Sequence, residues 1–111
     1  MEGQVDFSQE VRELLFARCH GYCEKCSYSL QKDNWCAHHR LLRKHGGKGT
    51  VQNGLAVHHS CHNTSTDSIH LNPKKSYEMG WLVKSWDKPE TARLTLSSGR
   101  CVRLTDDGNY E

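Results

Sequence analysis

Residues 35–62 read WCAHHRLLRKHGGKGTVQNGLAVHHSCH, and the spacing of their apolar residues, glycines and histidines decides what the chain can build. Residues 35–39 are compatible with a short strand and 55–58 with a second, each a short apolar run that ends in histidine. Between them Gly46, Gly47, Gly49 and the run Thr50-Val51-Gln52-Asn53 suit a loop better than a helix. Residues 60–68 can then form a short helix, with Ser60 as its cap. The stretch therefore predicts strand, long loop, strand, helix.

Working outward, Asp6 or Ser8 can cap a first helix that runs to about Arg18, with Val11, Leu14 and Leu15 at i, i+3, i+4 as its buried stripe. Gly21 ends that region and leads into a tight turn at Cys23-Glu24-Lys25-Cys26. On the other side, Asn72-Pro73 is a helix start, with Asn as cap and Pro at the first helical position, and Gly80 is its stop. Residues 81–86 read as extended. Residues 91–97 and 100–105 alternate apolar and polar around Ser98-Gly99, which predicts a hairpin, and residues 106–111 are expected to fray. Internal repeats and low-complexity segments are lacking. The expectation is a small α+β fold in a single domain over residues 1–111. Its core motif spans about 19–70, with an N-terminal helix before it, and a C-terminal helix and hairpin follow at about 72–106.

At 111 residues folding buries only about two-thirds of the unfolded chain's surface. The mean hydropathy is −0.80, so something besides apolar burial is expected to stabilise the fold. No apolar run approaches the ~20 residues that span a bilayer. The polar N-terminus Met1-Glu2-Gly3-Gln4-Val5 lacks a signal-peptide core, which predicts a cytoplasmic protein in a reducing compartment. The six cysteines then read as metal ligands or free thiols rather than disulfides. Net charge is only +2, but its distribution is uneven. Residues 34–66 hold no Asp or Glu, four basic residues (Arg40, Arg43, Lys44, Lys48) and six of the eight histidines. A positively charged site built around imidazoles suits phosphate chemistry.

Cys23-x-x-Cys26 has the spacing of a zinc knuckle, and His58-x-x-Cys61 repeats it. Three thiolates and one imidazole would close a tetrahedral structural zinc shell. Cys19 or His59 could replace a neighbour in that set, whereas Cys36 and Cys101 have no spaced partner and read as small core residues.

A second constellation is His38-His39, Asn53 fourteen residues after His39, and His62 nine residues after that. With the flanking knuckles, this order resembles the HNH nuclease family. There a His or Asp followed by His ends the first strand, an Asn follows in the loop, and a last His opens the helix of a ββα-metal fold. Small bacteriophage HNH proteins are the nearest in pattern. In them a glycine-containing loop after His-His-Arg, then Cys-His, His-x-Asn-Pro and Gly-Trp-Leu-Val recur in the order of His38-His39-Arg40, Cys61-His62, His70-Leu71-Asn72-Pro73 and Gly80-Trp81-Leu82-Val83. His58 stands where the commonest knuckle has a Cys.

The resemblance implies a metal-dependent DNA endonuclease or nickase. His39 would activate water, Asn53 would bridge the loop and orient that base, and His62 would complete the catalytic set. His38 and His62 would hold a catalytic divalent ion such as Mg2+ or Mn2+, which stabilises the phosphorane and the leaving 3′-oxygen. A third imidazole usually stands one helical turn after the last His; here that position is Thr66, and His70 is expected to loop back in its place. Arg40, Arg43, Lys44 and Lys48 would hold flanking phosphates of the DNA. The phage likeness would place the protein in an infected cell beside the DNA-packaging terminase. The alternatives are a zinc-dependent DNA-binding or adaptor module without catalysis, and an RNA nuclease, for which the sequence offers no base-stacking aromatic platform. One geometric demand follows. Neighbours on a strand face opposite sides, so His38 and His39 can serve one site only if the strand ends there.

Overall fold

The computed structural model describes residues 6–111. Ser8 opens helix α1, Gln9–Arg18, by accepting the Val11 N–H on its hydroxyl at 3.2 Å. Of the expected stripe only Leu15 is fully buried; Val11 is half-buried and Leu14 is exposed. Arg18 takes the inner position instead, at the last turn.

Strands β1, Cys36–His39, and β2, Gly54–Val57, form an antiparallel pair in which His39 lies opposite Gly54 and Cys36 opposite Val57. The long connection between them carries two 3-10 turns, Arg43–His45 and Val51–Asn53. Packing of α1 on β2 is close at Gly54, where an added Cβ would come within 2.8 Å of both Leu15 and Phe7 side chains. The expected α-helix after β2 is a single π-helical turn, Ser60–Thr64, capped at His59 rather than Ser60. Ser65 leaves it with extended backbone (ψ 153°), which is why it stops short of residue 68.

Helix α2, Pro73–Met79, starts at Pro and stops at Gly80, whose φ of 81° is the left-handed conformation a C-cap needs. The Asn72 side chain does not cap α2. Its Nδ2 donates to the Thr66 and Ser68 carbonyls and ties down the preceding turn. Residues 81–83 are buried but form no strand; the Val83 N–H donates to the Arg40 carbonyl. The C-terminal hairpin reduces to β3, Leu94–Thr95, and β4, Cys101–Val102, paired antiparallel. The fold is a small α+β arrangement whose apolar cluster runs from Leu15 through Leu55, Val57, Ile69 and Trp81 to Leu104.

The C-terminus does not fray. Arg103 and Glu111 exchange main-chain hydrogen bonds at 3.1 and 2.8 Å, and the Tyr110 hydroxyl donates to Glu24 at 2.7 Å. Glu24 in turn accepts from Arg18 Nε and Nη2, at 2.9 and 2.7 Å, and from the Ala56 N–H at 2.8 Å. Arg18 also donates to the Val51 and Gly54 carbonyls. Burial opposes the Arg18 charge, but Glu24 outweighs it and holds the guanidinium above its ordinary value. One buried ion pair thus joins α1, the Cys23 turn, the start of β2 and the chain end. Among the described residues no helix is long and apolar enough to cross a membrane.

Candidate metal centres and their cleft

The turn after α1 and the turn after β2 bring Cys23, Cys26, His58 and Cys61 together, with one donor atom of each within 4.8 Å of the others. His58 Nε2 lies 2.9 Å from the Ser29 carbonyl, which can only accept. That nitrogen therefore carries the proton, and Nδ1 keeps its lone pair, 3.3 Å from Cys26 Sγ and 3.8 Å from Cys61 Sγ. The Lys25 and Cys26 N–H groups point at Cys23 Sγ. Burial disfavours the Cys23 thiolate, yet these amides prevail and hold its pKa below the ordinary thiol value. Burial, with Cys23 beside it, pushes Cys61 up to about 12. A metal cation binds the thiolate, so it would displace the proton that burial holds on Cys61. Sulfur and nitrogen donors on a tetrahedral zinc ion stand about 3.5–3.8 Å apart, and the cluster could hold a structural zinc. Cys19 and His59 lie outside it: Cys19 is buried against the Phe16 carbonyl, and His59 is exposed beside a separate recess.

On the other side of the π-helical turn His38, His62 and His70 converge. His70 returns because the Ile69 and His70 N–H groups bond back to the Cys61 and His62 carbonyls at 2.8 and 3.2 Å. That leaves His70 Nε2 3.0 Å from His62 Nε2. Two nitrogens each about 2.1 Å from one ion lie about 3.0–3.4 Å apart, so this pair has ligand spacing. His38 is almost fully buried, and its Nε2 donates to the Trp81 carbonyl at 2.7 Å, leaving Nδ1 as its lone-pair nitrogen. Burial lowers the His38 pKa to about 3, and burial together with His70 lowers that of His62 to about 4. Burial, then Lys44, lowers His70 as well. The cluster is neutral near pH 7, the form in which imidazole binds a metal.

His39 is not part of this trio. It ends β1, so the strand stops where the two histidines need it to, and its ring packs on Phe7 with centroids 4.3 Å apart. Both histidines nonetheless border one open cleft of about 700 Å³, together with His62, His70, Arg43 and Lys44. Asn53 is buried and does not line this cleft; it borders the recess that Lys48 also lines. Its Oδ1 accepts the Leu41 N–H at 2.7 Å, and its Nδ2 donates to the Leu41 and Lys48 carbonyls at 3.1 and 2.8 Å. It staples both ends of the loop that leaves β1.

The expected basic set divides. Arg43 is exposed, 3.6 Å from Asp6, and lines the cleft with Lys44. Lys48 borders a different recess, with Asp87 and Glu90. Arg40 is fully buried and cannot reach a phosphate. Its Nε donates to the Gly80 carbonyl, and its terminal nitrogens to the carbonyls of Gln52, Pro89, Ala92 and Arg93, at 2.8 to 3.3 Å. It is the pin that fixes the C-terminal extension to the end of β1.

Two residues of the site were not legible as such. Arg12, on α1, reaches the cleft and stacks its guanidinium 4.2 Å from the Trp35 ring. Cys36 packs half-buried against the core as expected, but its Sγ also lies 3.2 Å from His62 Nδ1. Cys101 is exposed on the hairpin. No family model matches the chain, and no curated protein or solved structure matches it either.

Proposed function

We propose that the protein is a metal-dependent HNH-type endonuclease or nickase that hydrolyses DNA phosphodiester bonds. The single observation that carries this is the cleft in which His39 stands beside, but outside, a neutral cluster of His38, His62 and His70. A base and a separate metal centre in one basic cleft are what hydrolysis of a phosphodiester requires. On this reading the strand, stapled loop, strand and π-helical turn that carry these residues would stand in for a ββα-metal arrangement, with Cys23, Cys26, His58 and Cys61 holding zinc as its structural brace.

His38 Nδ1, His62 Nε2 and His70 Nε2 would hold the divalent ion. Three neutral imidazoles without a carboxylate suit a borderline ion such as Zn2+ or Ni2+ better than Mg2+ or Mn2+. When bound, the ion supplies Lewis-acid stabilisation of charge on the phosphoryl and leaving oxygens. His39 takes a proton from the attacking water as the new P–O bond forms and the bond to the 3′-oxygen breaks. Asn53 keeps the loop after β1 in place and so keeps His39 facing the phosphate. Phe7 restrains the His39 ring from the other side. Arg43, Lys44 and Arg12 neutralise neighbouring phosphates, which gives affinity without sequence choice.

The test is a supercoiled plasmid incubated with folded protein whose cysteine cluster keeps its zinc and whose histidine centre has been emptied, to which Mn2+, Ni2+, Zn2+ or Mg2+ is returned. The reading expects relaxed or linear product with at least one of these ions and none with chelator. Intact plasmid under every condition, from zinc-loaded folded protein that binds DNA, would leave a binding module instead.

A further inference from the structure

Cys36 opens β1 two residues before His38, so the two side chains share a face of the strand. Its sulfur faces neither the cysteine cluster nor a thiol partner; it lies 3.2 Å from His62 Nδ1, and His62 Nε2 faces His70. We propose that Cys36 is a positioning residue for the three-imidazole centre, its sulfur accepting the His62 Nδ1–H and so holding the Nε2 lone pair toward the ion. The inference rests on the divalent-ion centre proposed above, not on DNA being the substrate.

The chemistry is that of a neutral imidazole, which has one N–H and one lone pair. A ligand nitrogen must offer its lone pair, so the other nitrogen carries the proton, and its acceptor fixes tautomer and ring angle. His38 shows the pattern: the Trp81 carbonyl takes its Nε2–H at 2.7 Å. For His62 the matching acceptor is the Cys36 sulfur. A carbonyl or carboxylate is the usual partner in such a position. The reverse bond, S–H donating to Nδ1, would leave a proton on Nε2 and close that nitrogen to a metal. Cys36 is half-buried and its main chain is held by pairing with Val57, so a smaller side chain leaves the strand register intact.

The experiment titrates Ni2+ or Co2+ calorimetrically, without DNA, into protein whose cysteine cluster already holds zinc. Wild type, Cys36→Ala and Cys36→Ser are compared, with zinc content and melting curves as the check on folding. Loss of an outer-shell partner weakens metal binding by about ten- to a hundred-fold, so Cys36→Ala should fall by at least about ten-fold and Cys36→Ser, which keeps an acceptor, by under about three-fold. Nitrogen-15 spectra of the wild-type protein loaded with Zn2+ at this centre should show a slowly exchanging His62 Nδ1–H, which Cys36→Ala exposes to exchange. An alanine titration that overlays the wild type, a serine variant as weak as alanine, or a rapidly exchanging wild-type Nδ1–H would each overturn the proposal. Wild-type protein that binds no second ion overturns it together with the centre. Cys36-dependent metal binding in a protein that never cuts DNA upholds it and removes only the nuclease reading.

Discussion

Replacing Arg40 by lysine should unfold much of the molecule without touching its affinity for phosphate. The guanidinium serves five main-chain carbonyls from Gln52, Gly80, Pro89, Ala92 and Arg93 while fully buried. Burial lowers its pKa to about 10 but leaves it charged at neutral pH. An ammonium has three donors, so at least two carbonyls would lose their partner. Each hydrogen bond to a charged group contributes about 1.5–3 kcal/mol, which makes the expected loss about 3–6 kcal/mol. That is a large share of the roughly 5–15 kcal/mol by which domains are stable. Urea melts of zinc-loaded Arg40→Lys should show a midpoint shift of that size or no folded baseline. At temperatures where it is folded, the salt dependence of DNA binding should match the wild type. A melt within about 1 kcal/mol of the wild type, with a salt slope shallower by one unit, would mean that Arg40 faces solvent and holds a phosphate.

Cys26→Ser should lose zinc and the cooperative melt together, because structural zinc contributes roughly 10–16 kcal/mol of apparent binding energy in small peptides; a zinc-free, cooperatively melting native protein would remove the knuckle. If Arg12, Arg43 and Lys44 each neutralise one phosphate, the slope of log affinity against log salt should be about −2.7, and Arg43→Ala with Lys44→Ala should bring it to about −0.9. An unaltered slope would put the DNA elsewhere. Metal binding at the histidine trio should begin to fail only at a pH below the value near 6.5 at which an ordinary imidazole is half protonated. The sign follows from depressed values, about 3 for His38 and about 4 for His62, with His70 lowered as well: each ring keeps its lone-pair form to a lower pH than a free imidazole would. Calorimetry showing affinity already half lost at about pH 6.5 would contradict the burial of these rings.

The sequence pattern carried the strand pair, the helix at Pro73 and the cysteine–histidine set because each depends on local spacing. Cys23-x-x-Cys26 and His58-x-x-Cys61 meet wherever two such turns face each other. His70 was legible as the one histidine downstream of His62. What escaped depends on long-range burial. Arg40 reads as one more cation in a basic loop, and only the packing of residues 80–93 over it makes it a core residue. Tyr110 and Glu24, 86 residues apart, leave no local signal for the contact that orders the chain end. Cys36 reads as a small core residue, and its i, i+2 relation to His38 on a strand is the local signal that puts both on one face. The helix after β2 was expected as α; a π-helical turn takes its place and sends the consecutive residues Cys61 and His62 to different clusters.

The central claim is that His39 activates water beside a metal centre it does not ligate. The measurement that tests it most directly is the single-turnover cleavage rate of His39→Ala, alongside its metal affinity and DNA affinity. General-base catalysis contributes roughly 10²–10⁴-fold, so the rate should fall by that factor while both affinities stay near wild type. A variant that cuts at the wild-type rate, with contaminating nuclease excluded, or one whose loss of activity is restored by added metal ion, would contradict the account.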